Sequence, residues 1–230
     1  MSQRVLIVAA HPDDEVLGCG ATAARHARSG EEVHVLILAE GITSRSLKRK
    51  TRSRQSELSA LRASAVSAGD ILGAATVTLG KFPDNRMDSV NLLDVVKVVE
   101  TFIHRLRPQI VYTHHGGDLN IDHRLTQQAV VTACRPVAKH PVESLLFFEV
   151  PSSTEWQAPC RDLDFRPSWF INVSETLAVK IEALKAYSSE IRPWPHPRSV
   201  RAVEHLAGWR GSTIGVSAAE AFMVGRHRIG

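Results

Sequence analysis

The sequence predicts a single α/β domain over residues 1–230: a mainly parallel sheet flanked by helices, with a C-terminal extension that closes a pocket. Three observations carry this. Short apolar, β-rich runs alternate with helix-length segments, the mark of βαβ units and a parallel sheet. Two of those runs end in clusters of histidine and aspartate, and open α/β sheets place their sites at the carboxyl ends of strands. After the second cluster the alternation gives way to a stretch punctuated by prolines.

Taken in order, Val5-Leu6-Ile7-Val8-Ala9 is continuously apolar and too short for a helix, so it predicts the first strand. A helix is expected over 16–29, with Gly30 at the C-cap, and a second strand over 33–39. Residues 52–68 predict a helix capped by Gly69, and residues 76–79 a third strand. A helix over 90–106 leads to a fourth strand over 109–113, and another helix starts near Asp122 and reaches Cys134. Pro136, Pro141, Pro151, Pro159 and Pro167 then interrupt the chain, although 145–150 and 169–173 keep strand character. Residues 174–188 predict a helix with Ser174 as N-cap. In Pro193-Trp194-Pro195-His196-Pro197 the prolines forbid regular structure and predict a stiff, extended segment. A last helix is expected over 200–209. There is no internal repeat, low-complexity segment or domain boundary.

With 230 residues, 43% hydrophobic and 23% charged, the chain suits one domain with a full core. The net charge of +4 is mild but uneven, because Arg45, Lys48, Arg49, Lys50, Arg52 and Arg54 share one short stretch. That stretch is either a solvated loop and helix start or a basic rim that attracts a phosphate-bearing or acidic ligand. Without interleaved aromatics it does not predict a nucleic-acid arm. Cys19, Cys134 and Cys160 are odd in number and form no CxxC pair, which argues against a disulfide framework or a cysteine zinc site. No signal-peptide pattern and no membrane-length apolar run is present, so a reducing, cytoplasmic setting is expected. A homo-oligomer is compatible with the sequence.

The chemistry concentrates in two places. Ala10-His11-Pro12-Asp13-Asp14-Glu15 follows the first strand, and His114-His115-Gly116-Gly117-Asp118-Leu119-Asn120-Ile121-Asp122-His123 follows the fourth. In a strand-to-helix turn His11 and Asp14 can face one side. With His123 they make a His-Asp-His set of the kind that holds zinc and leaves a position open; such donors also accept other divalent metals. Asp13, outside the set, is placed to take a proton from water as a general base. The plainer reading is an N-capping turn. It suits Glu15 as a helix-start charge, but one cap needs only one aspartate, and the second cluster favours a metal site. The residues thus point to a zinc hydrolase.

Gly18-Cys19-Gly20-Ala21-Thr22-Ala23, with Glu40 downstream, matches the dinucleotide-binding pattern. There the first glycine must lie in the turn after the strand. Here His11 to Glu15 occupy that turn and would repel phosphate, so helix–sheet packing is the simpler role for the glycines, with nucleotide-cofactor binding as the minor alternative.

These residues resemble the PIG-L/LmbE-like zinc-dependent N-deacetylases, nearly end to end. The resemblance rests first on Ala10-His11-Pro12-Asp13-Asp14-Glu15, then on Arg54-Gln55-Ser56-Glu57-Leu58, Leu79-Gly80-Lys81-Phe82-Pro83-Asp84 and Asp122-His123. In the tail it rests on Tyr187, Ser189-Glu190-Ile191-Arg192, Pro195-His196-Pro197-Arg198-Ser199, Arg210-Gly211-Ser212 and Ala219-Glu220-Ala221-Phe222. It implies a Rossmann-like fold, zinc on His11, Asp14 and His123, Asp13 as base, and Arg54 and Asp84 as substrate contacts. Without it, Arg54 reads as a helix-surface charge and Asp84 as a turn residue. One departure matters: many members have His-Pro-Asp-His where this chain has Asn120-Ile121-Asp122-His123. Asparagine can donate to an oxyanion but cannot deliver a proton at neutral pH. The general acid is therefore open among Asp13, His114, His115 and His196, of which His196 is presented by its proline-rich setting. Asp118 is a loop residue or a substrate contact, and Asp122 is expected to orient a neighbouring histidine.

The expected reaction is removal of the N-acetyl group from a small amino-sugar substrate, free or linked to a nucleotide or lipid, with release of acetate. The alternatives are an amidase for another N-acyl conjugate and a non-catalytic sugar-nucleotide-binding protein. No nucleic-acid partner is expected.

Overall fold

The structure, a computed structural model, describes residues 2–45, 52–137 and 142–229. Five strands run parallel: β1 (Arg4–Ala9), β2 (Glu32–Ala39), β3 (Thr76–Phe82), β4 (Ile110–His114) and β5 (Ser144–Phe148). The helices α1 (Asp14–Arg28), α2 (Gln55–Leu72), α3 (Leu92–Leu106) and α4 (Ile121–Ala133) make the crossovers between successive strands. The C-terminal part adds β6 (Trp169–Asn172), α5 (Leu177–Ala186), α6 (Val200–Ser212) and β7 (Ala219–His227). The sheet order is β3-β2-β1-β4-β5-β7-β6, and β7 pairs antiparallel with both β5 and β6.

From β1 the sheet grows outward through β2 and β3; the chain then returns to add β4 and β5 on the other side of β1. The crevice between the carboxyl ends of β1 and β4 is thus a topological switch point, where open α/β sheets bind ligands. The apolar runs are continuous because both faces of the sheet are covered. Val5, Ile7 and Ala9 turn to one core with residues of α1, α2 and α5, while Leu6 and Val8 turn to another with α3 and α4. None of the described helices is long and apolar enough to cross a membrane.

Four local expectations are corrected. Gly69 lies inside α2 rather than at its end, because a Cβ there would come within 2.2 Å of Val77 on β3; the cap is Gly73, at φ 76°. Ser174 does not cap α5: its hydroxyl donates to Asn172 Oδ1, and Thr176 holds the N-cap position. The segment around Pro195 turns rather than extends, with His196 N–H donating to the Pro193 carbonyl and Ser199 N–H to the His196 carbonyl. The strand β7 is absent from the sequence expectation, since Glu220, Gly225 and Arg226 break the apolar pattern. The C-terminal extension is therefore partly woven into the sheet, and its other part reaches the switch point with Glu190, Arg192 and Arg198.

Candidate active site

The helix that leaves β1 is built in two pieces. Cys19 departs from helical geometry at φ −149°, breaking the hydrogen-bond ladder of α1. Lys180 on α5 donates to the freed Leu17 carbonyl at 2.7 Å, while Glu220 on β7 accepts from the freed N–H groups of Ala21 and Thr22. Lys180 and Glu220 pair with each other at 2.6 Å, both buried. Gly18 and Gly20 allow this break: a Cβ at Gly18 would overlap the Phe148 ring, and one at Gly20 would crowd the Lys180 stem. The glycines thus have the packing role expected of them.

Ahead of the break stands the short turn that carries the chemistry. Asp13 lies in the left-handed region at φ 103°, a strained conformation for a residue with a side chain. Its neighbour Asp14 turns the other way, accepting the His11 N–H at 2.8 Å through Oδ2. As a result, Asp13 and Asp14 serve different partners.

Asp14 faces the β4 end. Its Oδ2 lies 3.2 Å from His11 Nδ1 and 3.2 Å from His123 Nε2, and those two nitrogens are 3.3 Å apart. A tetrahedron around zinc, with donors at about 2.0–2.1 Å, has edges of about 3.3–3.4 Å. The triangle is therefore the size of one face of such a site, and Asp14 Oδ1 is buried without a hydrogen-bond partner. The same three residues come together as a potential metal-holding group, as do His11, Asp84 and Asp122. The residues present fit a divalent cation.

Carboxylates and backbone groups around this triangle orient it. Asp122 Oδ2 lies 3.0 Å from His11 Nε2, so its histidine is His11, whose other nitrogen is left for the triangle. Asp122 is itself fixed by the N–H groups of Asn85 at 2.6 Å and Met87 at 2.9 Å. Asp118 Oδ1 makes an ion-pair contact with His123 Nδ1 at 3.1 Å, while Ser153 and Thr154 donate to its carboxylate. His114 stacks on His123 with centroids 4.0 Å apart, and its Nε2 accepts the Ala10 N–H at 2.8 Å.

The electrostatics follow from burial against pairing. Burial alone would lower the His123 imidazole, but Asp14 and Asp118 hold it up at about 9. Burial likewise opposes charge on Asp14, yet His123 and His11 bring its carboxyl well below the usual range. Asp118 is carried down to about 2 by His123, Ser153 and Thr154 in spite of burial. His114 goes the other way: burial and the neighbouring His123 charge keep it neutral, well below the ordinary value. Asp14 is therefore a full anion ringed by imidazoles, an environment prepared for positive charge.

Asp13 sits beside the triangle, on the wall of a cavity of about 230 Å³. Burial raises its carboxyl to about 7, against the pull of Arg198, whose Nη1 donates to Asp13 Oδ2 at 3.0 Å. Glu15 is not merely a helix-start charge. It accepts the Asp13 N–H at 3.1 Å, and Tyr187 donates to it at 2.6 Å from a wholly buried position. Burial raises Glu15 to about 8, with Tyr187 opposing. The same cavity wall includes His11, Ser44, Asp84, Asn85, Asn120 and Arg192. A larger cavity of about 380 Å³, beside Arg25, Arg28 and Glu175, holds none of these groups.

Not every residue singled out from the sequence reaches this cavity. Asp84 does, with Ser44 N–H donating to it at 2.8 Å. Asn120 does too, but its Oδ1 caps α4 by accepting the Asp122 N–H, and its Nδ2 donates to Asn85 Oδ1 at 2.7 Å. Asp118 does not: it is fully buried, and its Oδ1 contacts His123 Nδ1 at 3.1 Å. His196 is absent from the described lining. Its Nδ1 accepts the Arg198 N–H at 3.0 Å and its ring packs on Trp156, so the residue its segment delivers is Arg198. His114 is fully buried, and His115 Nε2 donates to the Leu163 carbonyl; neither lines the cavity. Arg54 is absent from the described lining; it reaches the carbonyl of the lining residue Ile42 and Glu57, both at 3.4 Å. Lys48, Arg49 and Lys50 of the basic stretch lie outside the described residues. Sequence reasoning missed Arg198, Tyr187, Asn85 and the Lys180–Glu220 pair; apart from Asn85 and Lys180, all lie in segments that carried the family resemblance.

Comparison with known proteins agrees with the geometry. The profile of the PIG-L family, described as GlcNAc-PI de-N-acetylase, matches residues 6–134. The uncharacterized deacetylase YaiS of Escherichia coli (strain K12) is 32% identical over 193 residues, covering 80% of this chain and 90% of that protein. The 1D-myo-inositol 2-acetamido-2-deoxy-alpha-D-glucopyranoside deacetylase of Actinosynnema mirum is 27% identical over 245 residues, covering 83% of this chain and 82% of the relative. Among solved structures, GalB of Pseudomonas putida KT2440, a 4-carboxy-2-hydroxymuconate hydratase, superposes with a TM-score of 0.79 at 23% identity, covering 99% of this chain and 98% of that one. That likeness speaks for the fold alone. The profile match over more than half of the chain, together with YaiS, shows that this protein belongs to the PIG-L family.

Proposed function

We propose that the protein is a metal-dependent N-deacetylase that releases acetate from a small conjugate of an N-acetylated amino sugar. The observation that carries this is the His11–Asp14–His123 triangle with the separately held carboxylate of Asp13 beside it, His11 and Asp13 lining one cavity. The fold does not select the bond, since a hydratase shares it. The sequence relatives, named as deacetylases, favour an amide, and the inositol conjugate of the Actinosynnema mirum enzyme favours an acetamido sugar.

His11 Nδ1, Asp14 Oδ2 and His123 Nε2 are the atoms that would hold the cation. Zinc held there supplies a Lewis acid and brings the pKa of water toward neutrality. Asp13 takes the proton of the attacking water as the C–O bond forms. Among the described lining residues the sole imidazole is His11, and both of its nitrogens are engaged. Asp13 therefore also returns that proton to the amide nitrogen as the C–N bond breaks, which yields acetate and the free amine. The Asn120 amide carries a second N–H, suited to the oxyanion. Asp84 and Asn85 on the cavity wall suit sugar hydroxyls, and Arg54 is the further contact the family resemblance suggests.

The test is acetate release from N-acetylglucosamine, UDP-N-acetylglucosamine and short chito-oligomers, with and without a chelator. Release that the chelator abolishes and zinc restores is expected. Ligand binding without acetate from the zinc-loaded protein would instead mark a sugar-binding protein.

A further inference from the structure

We propose that Arg198 is a positioning residue for the reaction: it grips one oxygen of the Asp13 carboxylate and leaves the other to handle the proton. This rests on the reading of Asp13 as the base.

A base that accepts a proton on one side and returns it on another must present the same oxygen throughout. A carboxylate left to itself does not, because its terminal torsion is broad and two-fold. Asp13 is held at two points. Its backbone N–H is tied to Glu15, and its Oδ2 accepts from Arg198 Nη1 at 3.0 Å. Its Oδ1 makes no hydrogen bond among the described residues.

The grip is itself anchored. Arg198 Nε donates to Ser152 Oγ at 2.7 Å, in the loop that follows β5. Its backbone N–H donates to His196 Nδ1, and the next residue, Ser199, caps α6 by accepting the Ala202 N–H at 3.1 Å. The guanidinium thus stands at the mouth of a capped helix, with one edge on Ser152 and one tip on Asp13. A planar fork does both in one fixed geometry; a lysine ammonium, a point charge on a flexible stem, does not fix the orientation of the carboxylate it meets. Its place on the cavity wall also explains why an arginine is spent where a simple tie between loops would need no exposure to the cavity.

In Arg198→Ala, kcat should fall about 10- to 100-fold, the scale of a small misplacement of a catalytic group. KM should move less than about threefold and bound zinc should stay at the wild-type level. Guanidinium chloride at low, non-denaturing concentration should restore part of kcat. A crystal structure of the variant should show the Asp13 carboxylate in a different or a second rotamer, a readout that does not depend on the substrate chosen. Wild-type kcat, a loss confined to KM, failure of guanidinium to restore any kcat, or an unmoved Asp13 carboxylate would each overturn the proposal. If Arg198→Ala does not fold, Arg198→Lys replaces it: wild-type kcat there overturns the proposal, and a kcat loss at full zinc content supports it. Asp13→Asn is assayed alongside. Full activity in that variant refutes the base reading itself, whereas an inactive Asp13→Asn with a fully active Arg198→Ala refutes only the role of Arg198.

Discussion

The two parts of the chain contribute differently to one site. Everything that can hold the cation comes from the βαβ part: His11 and Asp14 after β1, His123 on α4, and Asp122 behind them. The later part adds contacts that secure these groups from outside, beside those of Asn85, Met87 and Asp118 in the first part. Arg198 holds Asp13, Tyr187 donates to Glu15, Ser153 and Thr154 fix Asp118, and Lys180 with Glu220 mends the break in α1. The family profile spans 6–134 and so covers the first part only. One part places the donor atoms and pairs them with one another; the other adds the partners of Asp13, Glu15 and Asp118. A cluster of ligands is a local device, but its electrostatic surroundings must be assembled from a distance.

The sharpest way to break this division is at Asp13, which the first part contributes and the second controls. Asp13→Asn should cost about 10²–10⁴ in kcat, the usual worth of a general base, with zinc content near wild type by metal analysis. Its pH signature follows from the raised carboxyl. Asp13 is ionised above about 7 and protonated below, so kcat/KM should rise with pH through a limb at or below about 7, lower once a cation sits beside it. A profile flat from acid to alkaline pH would remove Asp13 as the base.

Next in size is the pair that only the later part supplies. Glu220→Gln leaves Lys180 charged and buried without its partner and should destabilise the fold by about 3–5 kcal/mol, read by denaturant unfolding. Every proposed metal ligand is untouched in that variant. If its stability equals the wild type's, the later part does not hold the first in the way described.

A smaller effect is expected at Tyr187. Tyr187→Phe removes the hydroxyl that donates to Glu15 and should cost about 1–3 kcal/mol, seen as a lowered Tm. An unchanged Tm would mean that Glu15 does not depend on that contact.

Much of the first part was legible in the residues. The strand–helix alternation and the pairing of His11 with Asp14 are local, because periodicity and turn spacing act over a few residues. Packing was the favoured role for the glycines of Gly18-Cys19-Gly20, since the carboxylates ahead of them repel a phosphate. Asp118 and His196 were harder. Nothing local distinguishes an aspartate that faces a cavity from one that supports a histidine, or a histidine that reacts from one that accepts its neighbour's N–H. The strand β7 escaped because its Glu220 is buried by pairing with Lys180, a contact that no window along the chain contains.

The sequence by itself determined the fold class, the switch-point location of the chemistry and the identity of the proposed ligands, all of which depend on short-range patterns. Only the tertiary structure decided which carboxylate is raised and which is lowered, and it alone brought Arg198 to Asp13 across 185 positions of chain. The physical reason is that desolvation and charge pairing belong to a group's surroundings. For His11 to Glu15 those surroundings are built largely by residues beyond β4.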